Sequence, residues 1–148
     1  MGARMLKNAI IIDLDGTLCN TDHRQHLVEA KKWPAFYEAL VNDTPNEWCL
    51  KLIEGMESEY QILFVSGRPT DYRDITLAWL KKLGLEMYPL FMRASGDFRK
   101  DCIIKTEIYK EHIEPNFKVL FCVDDRKQVV DQWRELGLVC LHCAEGNF

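Results

Sequence analysis

The sequence predicts an α/β protein built on a five-stranded, mainly parallel sheet. Short apolar runs recur along the chain, and segments of helical periodicity separate them. The runs are continuous rather than alternating, as strands covered on both faces require. These features together describe a Rossmann-like three-layer fold with one irregularity, a small helical insert after the first strand.

Ala9 to Leu14 is the first apolar run and the candidate central strand. Residues 18–44 break the alternation, with helical periodicity and Trp33-Pro34 in the middle, and read as an insert. It would hang as a cap over the carboxyl end of the sheet, where open α/β folds bind ligands. A helix is expected over Pro45 to Glu59, with Pro45 near its first turn. Tyr60 to Val65 is the second strand, followed by a helix over Thr70 to Leu83 that Gly84 stops. Tyr88 to Met92 follows as a strand, then a helix over Lys100 to Ile113. Lys118 to Val123, a helix over Lys127 to Leu136 ended by Gly137, and Leu138 to His142 complete the set.

The 148 residues, 47% hydrophobic and 28% charged, fit a single domain over 1–148 with the insert inside it. A chain of this size buries roughly 70% of its unfolded surface and needs no disulfide framework. Cys19, Cys49, Cys102, Cys122, Cys140 and Cys143 are accordingly expected as reduced, mostly buried thiols. The Cys140-Leu141-His142-Cys143 cluster has no second ligand pair at similar spacing, so a structural zinc site is not expected. The net charge of -4 argues against a broad basic face for nucleic acid, though not against a local basic pocket. No apolar run approaches a membrane span and no secretory leader precedes Ala9, so a cytoplasmic protein with no membrane partner is expected.

Chemistry concentrates where strands end. Asp13-Leu14-Asp15-Gly16-Thr17 follows the first strand, and alternation in an extended chain puts Asp13 and Asp15 on one side. Two such carboxylates repel unless a cation lies between them, and an all-oxygen pair suits a hard ion such as Mg²⁺. Gly16 permits a sharp turn, and Thr17 offers a hydroxyl and an amide to a phosphoryl oxygen. Val65-Ser66-Gly67-Arg68 ends the second strand with a hydroxyl, a flexible amide and a guanidinium, a set that can cradle phosphate. Val123-Asp124-Asp125-Arg126 brings a second acidic pair to the same sheet edge, and Lys105 in the preceding helix is a candidate to neutralise it.

The order Asp13-x-Asp15-Gly16-Thr17, Ser66, a lysine and Asp124-Asp125 resembles the four motifs of the haloacid dehalogenase-type phosphohydrolases. Within them the chain is most similar to the 3′-phosphatase domain of bacteriophage polynucleotide kinase/phosphatases. Three stretches carry that likeness: residues 65–68, residues 96–101 with Lys105, and residues 123–134 with Gly146-Asn147-Phe148. Residues 18–59 match poorly, which leaves the substrate open.

The resemblance implies an Mg²⁺-dependent phosphomonoesterase. Asp13 would be the nucleophile and Asp15 the acid and base, with its backbone carbonyl on the metal. Asp13, Asp15 and one or both of Asp124 and Asp125 would hold Mg²⁺. Ser66 and Lys105 would bind phosphoryl oxygens, with Lys100 as the runner-up lysine. Arg24, Gly67, Arg68, Asp101, Arg126 and Thr17 would surround the substrate, a phosphate ester at a nucleic acid 3′ end or on a nucleotide. A small-molecule nucleotidase or general phosphatase is the alternative, and a non-catalytic partner of a separate kinase or ligase is the alternative of another class. No Gly is followed by Lys, so the chain has no Walker A loop and no 5′-kinase chemistry is expected of it. His23 and His26 in the insert are candidates to touch substrate, and Trp33, Phe36, Tyr37 and Trp48 are candidates either to stack a base or to pack the insert.

Overall fold

The computed structural model describes residues 5–146, so Asn147 and Phe148 of the last matched stretch lie outside the described residues, as do positions 1–4. Strand β1 (Lys7–Ile12) is followed by the insert, which holds β2 (Cys19–Asn20), α1 (Gln25–Glu29), α2 (Trp33–Glu38) and β3 (Thr44–Pro45). The chain then runs through α3 (Glu47–Met56), β4 (Gln61–Pro69), α4 (Arg73–Lys82) and β5 (Leu90–Arg93). It ends with α5 (Asp101–Ile108), β6 (Phe117–Arg126), α6 (Lys127–Glu135) and β7 (Cys140–Gly146).

The main sheet has the order β5-β4-β1-β6-β7, and every pairing in it is parallel. β1 sits at the centre because its apolar side chains leave no face for water: residues 9–12 are all buried. Ile10 and Ile12 pack with Ile62, Phe64, Ile53, Trp79 and Leu80 on the side of α3 and α4. Ala9 and Ile11 pack with Leu63, Val65, Ile104, Val130 and Trp133 on the side of α5 and α6. That alternation is the period-two geometry of a strand with two buried faces. The chain builds outward from β1 to β5 and then returns to β1's other side with β6, so the strand order switches beside β1. Ligands of open α/β sheets bind at such a point, beyond the carboxyl ends of the strands.

Several features depart from the expectations, among them Pro45, which pairs in β3 instead of opening α3. β4 runs to Pro69 and β6 to Arg126, so Ser66-Gly67-Arg68 and Asp124-Asp125 lie within strands rather than after them. Register shifts fall between Ser66 and Pro69 and between Asp124 and Arg126, and such irregularities re-aim side chains locally. The insert is held at its base by β2 and β3, a two-stranded antiparallel ribbon too short to leave a pattern in the sequence. The helix expected over Lys100 to Ile113 changes to a π-turn at Tyr109–Ile113. Among the described residues the six cysteines are free, with Cys19, Cys49, Cys122 and Cys140 buried and Cys102 and Cys143 half-buried.

Candidate active site

Asp13 follows β1 directly, and its amide donates to the Val123 carbonyl across the sheet at 3.1 Å. Its carboxylate is buried and fully engaged: Lys105 Nζ donates to Oδ1 at 2.8 Å and Thr17 Oγ1 to Oδ2 at 3.1 Å. The same ammonium donates to Asp124 Oδ2 at 2.8 Å. Lys105 lies on α5, which packs against β4 and α6, and its Nζ is buried among carboxylates. Burial works against its charge, but Asp124, Asp13 and Asp101 outweigh that and hold the lysine protonated.

Asp125 completes the group, and oxygens of Asp13, Asp124 and Asp125 lie within 4.8 Å of one another. One lysine does not balance three carboxylates. Burial and the Asp124 charge raise the Asp13 carboxyl well above its usual range, against the pull of Lys105. The same two causes push Asp125 up to about 6. Gly16, at φ +84°, lets the chain pass close: a Cβ there would stand 2.1 Å from Asp125 Oδ2.

Asp15 is placed otherwise than the strand alternation predicts. β1 ends at Ile12, and Asp15 lies in a turn where it bridges to Cys19. Its carboxylate is therefore not in the three-carboxylate group but faces two arginines. Arg68 Nη2 and Arg24 Nη2 each donate to Oδ1 at 2.6 Å, and Arg68 Nε lies 3.1 Å from both oxygens. Burial opposes its ionisation, yet Arg68 and Arg24 hold the carboxyl well below its ordinary value. Both guanidiniums are buried and neither lines the cavity, so Arg24 and Arg68 are placed behind Asp15 rather than open to a substrate phosphate. Arg24 also donates to both oxygens of Asp43, at 2.8 and 2.7 Å, and lies 4.3 Å over the Phe36 ring. Asp15, Cys19 and Asp43 stand close together, but the arginines fill the space a metal would need.

Ser66 is buried at the end of β4, its Oγ accepting from the Arg68 amide at 3.1 Å. Gly67 beside it leaves room for Asp101, whose Oδ1 would stand 2.6 Å from a Cβ at that position. Asp101 opens α5 and takes hydrogen bonds from Arg93 and Arg126. Burial opposes its ionisation, while Lys105, Arg126 and Arg93 prevail and keep it charged. Lys100 caps α5 and lines the cavity but does not reach Asp13, so Lys105 is the lysine at the carboxylates.

These groups stand in or beside a cavity of about 850 Å³, with Asp13, Lys105, Asp124 and Asp125 on its lining and α2 of the insert on its wall. His23 binds Asp43 Oδ1 at 2.6 Å, and neither it nor exposed His26 lines the cavity. Trp48 lies outside the cavity, whereas Trp33, Tyr37 and the largely buried Phe36, under Arg24, are on its wall. Asp43 and Arg93 are the two participants sequence reasoning missed. Arg93 had a signal, since it follows the third predicted strand at the same sheet edge. Asp43 had none, because its partners lie 19 and 20 residues away around the insert.

A central parallel strand ending in Asp13, with Lys105 and two further aspartates converging on it, makes this chain a phosphatase of the haloacid dehalogenase type. Residues 7–148 match the polynucleotide kinase PNKP phosphatase domain, and the chain belongs to that family. It is 30% identical over 131 residues to a protein assigned as a bifunctional polynucleotide kinase/RNA ligase of Autographa californica nuclear polyhedrosis virus, covering 88% of this chain and 18% of that one. A chain in the Pnkp1/Rnl/Hen1 RNA repair complex superposes with a TM-score of 0.86 at 36% identity, over 97% of this chain and 44% of that one. The chain thus spans less than half the length of either relative. A class C acid phosphatase from Bacillus anthracis, at 15% identity and a TM-score of 0.66 over 97% of this chain and 70% of that one, shares the fold. Among the described residues no helix is long and apolar enough to cross a membrane.

Proposed function

We propose that this phosphatase is an Mg²⁺-dependent phosphomonoesterase that removes 3′-phosphates from nucleic acid ends or nucleotides through an aspartyl-phosphate on Asp13. The observation that carries the mechanism is the Asp13 carboxylate on the cavity lining, fixed by Lys105 and Thr17 and crowded by Asp124 and Asp125. The 3′-phosphate reading is supported by the family, by the kinase/ligase name of the viral relative and by the RNA repair complex that holds the structural one. That setting also supports action beside a kinase or ligase, in one protein or one assembly.

The three carboxylates fit a hard divalent ion: their donors are all oxygen, they converge, and their charge exceeds what Lys105 offsets. Asp13 with Asp124, Asp125 or both would hold Mg²⁺, and the ion would offset charge on the transferring phosphoryl group. Asp15 would join this set only through its main-chain carbonyl, because its carboxylate is taken by the arginines.

In the first step an Asp13 oxygen attacks phosphorus and the bond to the leaving oxygen breaks. Lys105 stands ready to steady charge on the phosphoryl oxygens. In the second step water attacks phosphorus, the Asp13 oxygen leaves, and the proton goes to Asp15. The arginine clamp keeps Asp15 a carboxylate, open to that proton, while lowering its basicity. For the first step Asp15 must carry a proton to give the leaving alkoxide, which the clamp opposes, and the second step returns that proton to it.

Acid-quenched incubation with an aryl phosphate labelled in its phosphate, whose leaving group needs no proton, tests this directly. Asp15→Asn should retain label covalently on protein, while Asp13→Asn should carry none and lose turnover by at least about a thousandfold. Turnover by Asp13→Asn near the wild-type rate would remove the mechanism.

A further inference from the structure

The cavity is far larger than a phosphate requires, and part of its wall is aromatic. Trp33 and Tyr37 on α2 lie with ring centroids 6.2 Å apart and planes 29° apart. Tyr72, between β4 and α4, continues the stack onto Tyr37 at 4.9 Å and 27°. All three rings line the cavity that holds Asp13 and Lys105. Packing of the insert accounts for Phe36, which is buried, but not for Trp33, which meets Phe36 and Tyr37 and yet stays 45% exposed. Phe98, from the loop between β5 and α5, lines the same cavity and is 93% exposed. Leaving two large rings in water beside a phosphoryl site is costly unless something flat and apolar covers them.

We propose that Trp33, backed by Tyr37 and Tyr72, is the platform on which the base of the 3′-terminal nucleotide stacks while its phosphate lies at Asp13, with Phe98 as a second stacking ring. This rests on the phosphatase reading above and deepens it by naming the nucleobase as the part of the substrate the insert recognises. Stacking on a ring is indifferent to base identity, because every base presents a π-face, so the platform selects for a base without selecting which. It also explains how a chain of net charge -4 holds a polynucleotide end: recognition is concentrated at one nucleotide rather than spread along a basic face.

The test compares two oligonucleotides with the same 3′-terminal phosphate and sugar, one with its terminal base and one abasic at that residue. Wild-type kcat/KM should be about 5- to 150-fold higher with the base present, the range measured stacking energies correspond to. Trp33→Ala should lose most of that preference, chiefly through KM on the base-bearing substrate, and Trp33→Phe should keep most of it. Phe98→Ala should reduce the preference as well, and its exposure means the substitution leaves folding intact. Trp48→Ala, an equally exposed tryptophan outside the cavity, is the control and should keep the full preference. Equal losses on the two substrates in Trp33→Ala, or a wild type indifferent to the base, would overturn the inference and leave the phosphatase standing. No phosphate release from either oligonucleotide by the wild type would overturn both.

Discussion

At the scale of residues, Asp13 and Asp15 stand two positions apart and live in opposite electrostatic surroundings. Asp13 is crowded by carboxylates and Asp15 by guanidiniums, so their carboxyl affinities for protons are driven apart. Such separation assigns different chemical tasks to similar groups. Because Asp15 starts ionised, its loss should fall hardest on steps that need a base. Asp15→Asn is expected to give a stoichiometric burst of p-nitrophenol from the aryl phosphate, followed by slow turnover, and no burst from an alkyl phosphate. Pre-steady-state kinetics check this, and equal impairment of both first steps would contradict it. Gly16 is a second sharp constraint. Gly16→Ala meets both a positive φ and a contact of 2.1 Å with Asp125, so it should cost roughly 1–3 kcal/mol and displace Asp125 from the carboxylate group. Denaturant unfolding should report the stability loss, and Mg²⁺ titration of activity a higher requirement for the ion.

At the scale of elements, the insert is tied to the sheet by charge as much as by apolar packing. Asp43, at the end of the insert, accepts from Arg24 and His23, and its main-chain carbonyl accepts from Trp79 Nε1 at 2.9 Å. The Asp43 and Arg24 side chains are almost wholly buried. Asp43→Ala leaves Arg24 half-partnered in that setting and should cost about 3 kcal/mol, which lowers the melting temperature by roughly 6–12 °C. Calorimetry settles this, and a change below about 1 kcal/mol would mean water replaces the lost partner. The same ion pairs explain what the sequence hid. The five strands were legible because buried parallel strands are continuous apolar runs, and the carboxylates of β1 and β6 were legible because strand ends meet at one edge. Strand alternation failed at Asp15, since a turn with positive φ at Gly16 breaks the two-residue period there. The partners of Arg24 and Arg68 were hidden for a related reason: a sequence places an arginine near a sheet edge but does not show that half-buried Asp15 and buried Asp43 already take it.

At the scale of the whole molecule, the sheet order brings all of this to one place. β1, β4 and β6 are neighbours, so the residues at their carboxyl ends, separated by more than a hundred positions in sequence, share one cavity floor. The uncompensated charge there is a property of the folded state alone, because only folding gathers Asp13, Asp124 and Asp125. A cation that binds this cluster therefore stabilises the fold by linkage. Millimolar Mg²⁺ should raise the melting temperature by a few degrees, and Asp125→Asn should reduce the rise. An equal rise in a variant lacking both Asp124 and Asp125 would place the ion elsewhere. The most direct test of the central claim is phosphate release from matched oligonucleotides bearing a 3′- or a 5′-phosphate and from the corresponding mononucleotides, each with Mg²⁺ and with EDTA. The account predicts release that requires Mg²⁺ and favours the 3′-phosphates. Release that persists in EDTA, or that favours 5′-phosphates, would contradict it.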